Sequence, residues 1–296
     1  MDIKNIFIIG SGFMGGGIAQ VSAQAGYKVK LYDFKKGLST QAKAGIEKRW
    51  ASNVEKGRIE AKDKDAYAAN LTPVDDLKEA AGSDLIIEAI YENFDAKVAV
   101  LTEVEGYVAD TTIIASNTSS ISLTALGGKL KIPERFIGMH FFSPVPVMKL
   151  LEIIPGLRTT KETLAVAYDV GGKLNKTMIT AKDMPGFVVN RMLDTFIAEA
   201  IRLLDEGVGS VEDIDNGCKA GLNHPMGPLE LSDMAGVDIV DAVLTVFHAE
   251  LGDKYTPTPL LRKMIDSGFL GKKTGIGFYV YDEKGKITGV NPVFQK

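Results

Sequence analysis

The sequence predicts an α/β protein: a doubly wound sheet that carries a helical insertion and is followed by an all-α domain. Three observations carry this. Short apolar runs alternate with helical periodicities over residues 1–183. A long charged helical stretch interrupts that alternation at about 36–70. Beyond Lys182-Asp183-Met184-Pro185-Gly186 the periodicity is helical only, so the domains divide as 1–183 and 184–296.

The first element is the strand Ile6-Phe7-Ile8-Ile9, which runs straight into Gly10-Ser11-Gly12-Phe13-Met14-Gly15 and then a helix over 16–25. The apolar run 29–32 closes on Asp33. A strand, a turn with three spaced glycines, a helix and an acid ending the next strand form the Rossmann-type dinucleotide-binding unit. Gly10 permits the tight turn, Gly12 lets the backbone approach a pyrophosphate, and Gly15 lets helix and strand pack closely. The helix N-terminus supplies unpaired N–H groups and a partial positive charge. Asp33 suits two ribose hydroxyls and repels a 2′-phosphate, which favours NAD over NADP; Lys35 and Lys36 beside it soften that preference.

In the insertion, Ala42, Ile46, Trp50 and Val54 form a narrow apolar stripe on a charged rod, and Gly57 precedes a weaker helix over 61–69. The pair reads as an arm standing off the sheet. The alternation resumes with a strand at 84–89, a helix at 94–107, and strands at 113–116, 136–140 and 150–154. A helix at 162–174 and a strand at 177–180 complete the sheet. Helices at 187–206, from a capping box at Ser210 and Asp213, at 237–251 and at 259–267 build the second domain.

Composition narrows the function classes. A net charge of −4 over 296 residues argues against a dedicated nucleic-acid binder. Residues 35–64 depart from this balance, with nine Lys or Arg against four Asp or Glu. Cys218 is the sole cysteine, so no intramolecular disulfide and no cysteine metal cluster is available, which suits a reducing, cytoplasmic setting. The charge-free stretch 5–27 is broken by glycines, serines and glutamines, so it reads as strand, turn and helix rather than as a membrane span. No secretory signal or transit peptide is expected.

His140 ends a predicted strand and Glu152 lies in the next, between Leu151 and Ile153. If the strands are neighbours, the carboxylate could hold the imidazole. A base oriented by an acid and a core histidine with a structural partner both fit that pattern. Asn117 and Ser119 follow a strand at the sheet's carboxyl side, where ligands bind, although a helix cap is the plainer reading of Ser119. Asn190 lies in an apolar helical stretch and needs a polar partner. Gly271-Lys272-Lys273-Thr274-Gly275 has the wrong spacing for a phosphate loop and reads as a segment closing the helical domain.

Over nearly its whole length the chain resembles the short-chain L-3-hydroxyacyl-CoA dehydrogenases, in particular bacterial 3-hydroxybutyryl-CoA dehydrogenases. The resemblance rests on GSGFMGGGIAQ from Gly10, IIEAIYEN from Ile86, ASNTSSIS from Ala115 and GMHFFSPVPVMKLLEII from Gly138. It continues in DMPGFVVNRM from Asp183, HPMGPLELSD from His224 and GKKTGIGFY from Gly271. It implies an NAD-linked oxidoreductase that acts on 3-hydroxyacyl-CoA in a cleft between domains. His140 would be the general base and Glu152 its orienting partner, with Ser119 and Asn190 on the substrate oxygen. Glu92, Lys97 and Asn117 would line the cofactor site beside Gly10, Gly12, Gly15 and Asp33. Lys56 matches the family's basic position at the coenzyme A nucleotide. Arg49 departs from a small hydroxyl residue common there and shares the helical face of Lys56, so a solvated charge stays open for it. The family's habit implies a homodimer. A free hydroxy-acid dehydrogenase or a non-catalytic dinucleotide binder on the same fold remain alternatives.

Overall fold

The computed structural model describes residues 1–295 as two compact units, Met1–Phe187 and Val188–Lys296, of which Lys296 lies outside the described residues. In the first, β1 (Asn5–Ile9), α1 (Phe13–Gln24) and β2 (Lys28–Tyr32) form the opening βαβ unit. Then come α2 (Leu38–Glu55), α3 (Ala61–Asn70), β3 (Leu71–Val74), β4 (Leu85–Glu88), α4 (Phe94–Glu105), β5 (Ile113–Ser116) and α5 (Leu123–Gly127). β6 (Phe136–Phe141), β7 (Leu150–Pro155), α6 (Lys161–Lys173) and β8 (Thr177–Thr180) complete the unit.

The sheet order is β3-β2-β1-β4-β5-β6-β7-β8. Every neighbouring pair is parallel except β6 and β7, which are antiparallel. Strand order reverses between β1 and β4, the topological switch point at whose carboxyl side open α/β sheets bind ligands. One buried apolar cluster, including Ile6, Ile8, Leu31 and Ile87, covers one face; Phe7, Ile9, Ile86 and Val100 belong to the cluster on the other. Burial on both faces explains why these strands read as continuous apolar runs rather than alternating ones.

The helical insertion is not a free-standing arm. The expected stripe is the reason: Ile46 and Trp50 have no exposed surface and belong to the sheet core, with Ala42 packed against it. Trp50 also lies beside Tyr67 of α3, with ring centroids 5.7 Å apart. Only the outer face, with its lysines, meets solvent. β3, which was not anticipated from the sequence, is a four-residue edge strand containing Pro73, where a missing N–H is tolerated.

The second unit comprises α7 (Val189–Asp205), α8 (Val211–Gly221), α9 (Pro228–Ala235), α10 (Val237–Leu251) and α11 (Pro259–Asp266), with a hairpin of β9 (Tyr279–Tyr281) and β10 (Ile287–Val290). The hairpin corrects the all-helical expectation. α7 starts at Val189 rather than 187, because Gly186 and Phe187 take left-handed conformations with φ of 72° and 45°. Two buried carboxylates tie the hairpin and α9 down. Asp215 accepts from the N–H groups of Leu229 and Glu230, at the unpaired start of α9, and from the Tyr279 hydroxyl. Asp233 accepts from the N–H groups of Phe278 and Tyr279 at 2.9 Å each and from the Tyr281 hydroxyl. A Cβ on Gly277 would lie 2.0 Å from Asp233 Oδ1, so a bare backbone is required there. The segment 271–275 is accordingly structural: a single 3₁₀ turn over Lys272–Thr274 that leads into the hairpin.

Burial pushes the Asp233 carboxyl up to about 6, and the hydrogen bonds it accepts only partly offset this. A raised carboxyl binds its proton more tightly in the folded state than in the unfolded chain. Its contribution to stability is therefore fully present below the ordinary value of 3.8 and lost as pH rises through about 6. Carboxyl ¹³C NMR should give Asp233 a midpoint near pH 6; an ordinary midpoint would contradict its burial.

Candidate functional site

The turn after β1 is shaped by close approach. Gly10 has φ of 100°, and a Cβ on it would lie 2.6 Å from the Ala89 carbonyl oxygen. A Cβ on Gly15 would lie 1.8 Å from the Gly10 carbonyl oxygen. At Gly12 the situation is opposite: an added Cβ meets nothing within 4 Å, so the main chain is open to a ligand at the start of α1. Asp33, just past β2, accepts from the Ser11 N–H at 2.8 Å and the Ser11 hydroxyl at 2.7 Å. Ser11 was not singled out in the sequence, where only its flanking glycines carry a pattern. A bare backbone at a helix N-terminus beside a carboxylate at the end of β2 fits a dinucleotide whose ribose hydroxyls meet an acid.

Glu92 is the hub of the next loops. Its Oε1 accepts from the Thr118 hydroxyl at 2.6 Å, the Ser119 N–H at 2.9 Å and the Ser120 N–H at 3.0 Å. The hydroxyls of Ser119 and Ser120 also lie within reach. Burial raises the Glu92 carboxyl, but Thr118, the Lys97 ammonium, Ser119 and Ser120 outweigh it and hold the group below the usual carboxylate range. Lys97 is itself buried, 3.3 Å from Glu92 and 2.7 Å from Glu88. The cap reading of Ser119 is overturned, because α5 is capped by Ser122, which accepts from the Ala125 N–H. Ser122 and the start of α5 are in turn held by Asp183.

Asn117 joins these loops to β6: its Oδ1 accepts from the Phe141 N–H at 2.9 Å. One residue earlier stands His140, in direct register with Glu152 of β7. His140 Nδ1 is 2.8 Å from Glu152 Oε2, and Glu152 has no exposed surface. Rings of Phe142 and Phe187 flank the imidazole, with centroids 4.6 and 5.6 Å from it. An ionised carboxylate only accepts, so Nδ1 carries the proton and Nε2 keeps its lone pair. The pair can therefore take a proton at Nε2 while the carboxylate stabilises the cation that forms.

A groove of about 630 Å³ runs from Gly12 past Gln20 and Val145 to Arg49, Lys56 and Arg58. The Arg49 Nε donates to Gln20 Oε1 at 2.9 Å, and burial lowers the guanidinium from its ordinary value. Arg58 was missed in the sequence as an individual residue, although it belongs to the basic excess of 35–64. The structure thus gathers Gly10, Gly12, Gly15, Asp33, Glu92, Lys97, Asn117, Ser119, His140 and Glu152 at the carboxyl side of one sheet. Arg49 and Lys56 sit on the adjoining groove. Asn190 belongs to the second unit, half-buried in the first turn of α7.

Residues 5–184 match the 3-hydroxyacyl-CoA dehydrogenase NAD binding domain and residues 186–281 match the 3-hydroxyacyl-CoA dehydrogenase C-terminal domain. The chain is 44% identical to a probable 3-hydroxybutyryl-CoA dehydrogenase of Bacillus subtilis, over 96% of this chain and 99% of that protein. It is 41% identical to the 3-hydroxybutyryl-CoA dehydrogenase of Clostridioides difficile, over 93% and 99% of the two chains. The crystal structure of (S)-3-hydroxybutyryl-CoA dehydrogenase from Ralstonia eutropha superposes with a TM-score of 0.93 at 43% identity, covering 95% of this chain and all of that one.

In ¹⁵N NMR, the neutral imidazole of His140 should carry its proton on Nδ1. The opposite tautomer would place the lone pair against Glu152 and remove the base.

Proposed function

The chain belongs to the 3-hydroxyacyl-CoA dehydrogenase family, and on that premise we propose that His140 is the general acid and base of its reaction. The protein is an NAD-dependent oxidoreductase that interconverts 3-hydroxyacyl-CoA and 3-ketoacyl-CoA, in our reading with a short acyl chain of 3S configuration. NAD, when bound, supplies the hydride acceptor or donor for substrate C3. Oxidation requires the 3-hydroxyl proton to leave: His140 Nε2 takes it, and Glu152 stabilises the imidazolium through Nδ1–H. In reduction the same nitrogen returns the proton to the oxygen at C3. Ser119 and Asn190 polarise that oxygen. Gly10, Gly12, Gly15 and Asp33 hold the dinucleotide, with Glu92, Lys97 and Asn117 forming the loops against it.

The observation that supports this reading most directly is the 2.8 Å contact between His140 Nδ1 and a fully buried Glu152 at the carboxyl end of β6. Lys56 and Arg49 would receive the phosphates of the coenzyme A nucleotide at the groove's basic end. That end favours a thioester of coenzyme A over a free hydroxy acid, a substrate that offers no nucleotide for it to grip.

No helix among the described residues is long and apolar enough to cross a membrane. We place the enzyme in the cytoplasm, which suits its lone half-buried Cys218. We also propose a homodimer through the second unit, where Met192, Leu222, Met234, Ile239 and Val246 are exposed. Light scattering should return twice the 31.9 kDa chain mass, and a mass of one chain would remove the dimer.

His140→Gln should lower kcat by about a hundredfold to ten-thousandfold while NADH binding, followed by fluorescence, stays intact. Near-normal turnover would reject His140 as the base. In the same NADH-oxidation assay acetoacetyl-CoA should far outpace free acetoacetate, and equal rates would point to a hydroxy-acid dehydrogenase instead.

A further inference from the structure

Beneath the loops that carry Ser119 and Glu92 lies a buried charged cluster the reaction does not itself use. Glu88, the last residue of β4, has no exposed surface. Its Oε1 accepts from the Lys97 ammonium at 2.7 Å and from the Ile90 N–H at 2.7 Å. Its Oε2 accepts from the Ser116 hydroxyl at 2.5 Å, and its carbonyl oxygen accepts from the Asn117 N–H at 2.8 Å. Ser116 Oγ is in turn 3.2 Å from the Thr118 N–H that donates to it. One residue therefore grips the ends of both β4 and β5.

The distances define a competition. Lys97 stands closer to Glu88 than to Glu92, at 2.7 against 3.3 Å. The nearer carboxylate draws the ammonium back. Lys97 meets Glu92 at Oε2, while Oε1 holds the donors of Thr118, Ser119 and Ser120. A neutral group at 88 would release Lys97 onto Glu92, since a buried ammonium cannot remain without a counter-charge. Drawn closer to Oε2, Lys97 would turn the carboxylate whose Oε1 holds the loop, and the Ser119 hydroxyl would lose its fixed position.

We infer that Glu88 is a positioning residue for the dehydrogenase reaction: it restrains Lys97 and Ser116 so that Glu92 can set the loop bearing Ser119. This rests on the reading of Ser119 as a substrate contact. A purely structural ion pair makes a different demand, because its loss would lower stability without altering the chemistry of the molecules that fold.

The test measures kcat, the KM for acetoacetyl-CoA and the melting temperature for Ser119→Ala, Glu88→Gln and Ser116→Ala. Glu88→Gln should lower kcat about tenfold to a hundredfold with a smaller change in KM, the scale expected when a reacting group is misplaced by a fraction of an ångström to about one. An unchanged kcat in Glu88→Gln overturns the inference. Should Glu88→Gln fail to fold, Ser116→Ala decides. It removes the hydroxyl that donates to Glu88 and accepts from the Thr118 N–H, so a kcat lowered several-fold in the folded variant with a smaller change in KM supports positioning, and an unchanged kcat overturns it. A Ser119→Ala variant with full activity would instead remove the reading of Ser119 and the inference with it.

Discussion

The antiparallel pairing of β6 with β7 is the constraint on which the site depends. Every other neighbouring pair in the eight-stranded sheet is parallel, and a parallel partner would need a crossover connection before it could return alongside β6. Reversing one strand brings Glu152 directly across from His140 after a short proline-containing loop. The register matters as much as the direction. A slip of one residue would turn Glu152 to the other face of the sheet, leaving the imidazole without its anchor and a carboxylate buried in apolar surroundings.

Around this pair the sheet assembles the loops of the site by one rule: each follows the carboxyl end of a strand. The glycine turn follows β1, Asp33 follows β2, Glu92 lies past β4, and Asn117 and Ser119 follow β5. Hydrogen bonds join these loops sideways. Asp33 ties the first two through Ser11, Glu92 gathers the loop after β5, and Asn117 reaches β6 beside His140. The loops thus form a connected polar network over an apolar sheet, in which one misplaced member disturbs its neighbours.

Most of the sheet was legible because its strands are short, apolar on both faces and separated by clear helical periods. β3 escaped notice because Leu71-Thr72-Pro73-Val74 is an edge strand with a proline in it, a pattern that argues against a strand anywhere else. The arm was misread for an energetic reason. The Ile46 and Trp50 stripe was visible, but its width alone did not reveal that the core would accept it. The hairpin of the second unit was hidden because two distant aspartates, Asp215 and Asp233, hold it and α9 in place. At the site, His140 and Glu152 stood out as polar residues in apolar runs. Ser11 and Glu88 did not, since their roles arise from partners more than twenty residues away or from a lysine on the following helix.

The burial of Trp50 has a practical side. It is the only tryptophan in the chain, it is wholly shielded from solvent, and it sits on the helix whose other residues line the basic groove. Its indole is therefore a native optical gauge, needing no label, for whether that helix stays seated. An emission spectrum that shifts red while the sheet remains intact would mark the lifting of α2 alone, and so separate local loosening of the groove from collapse of the whole lobe.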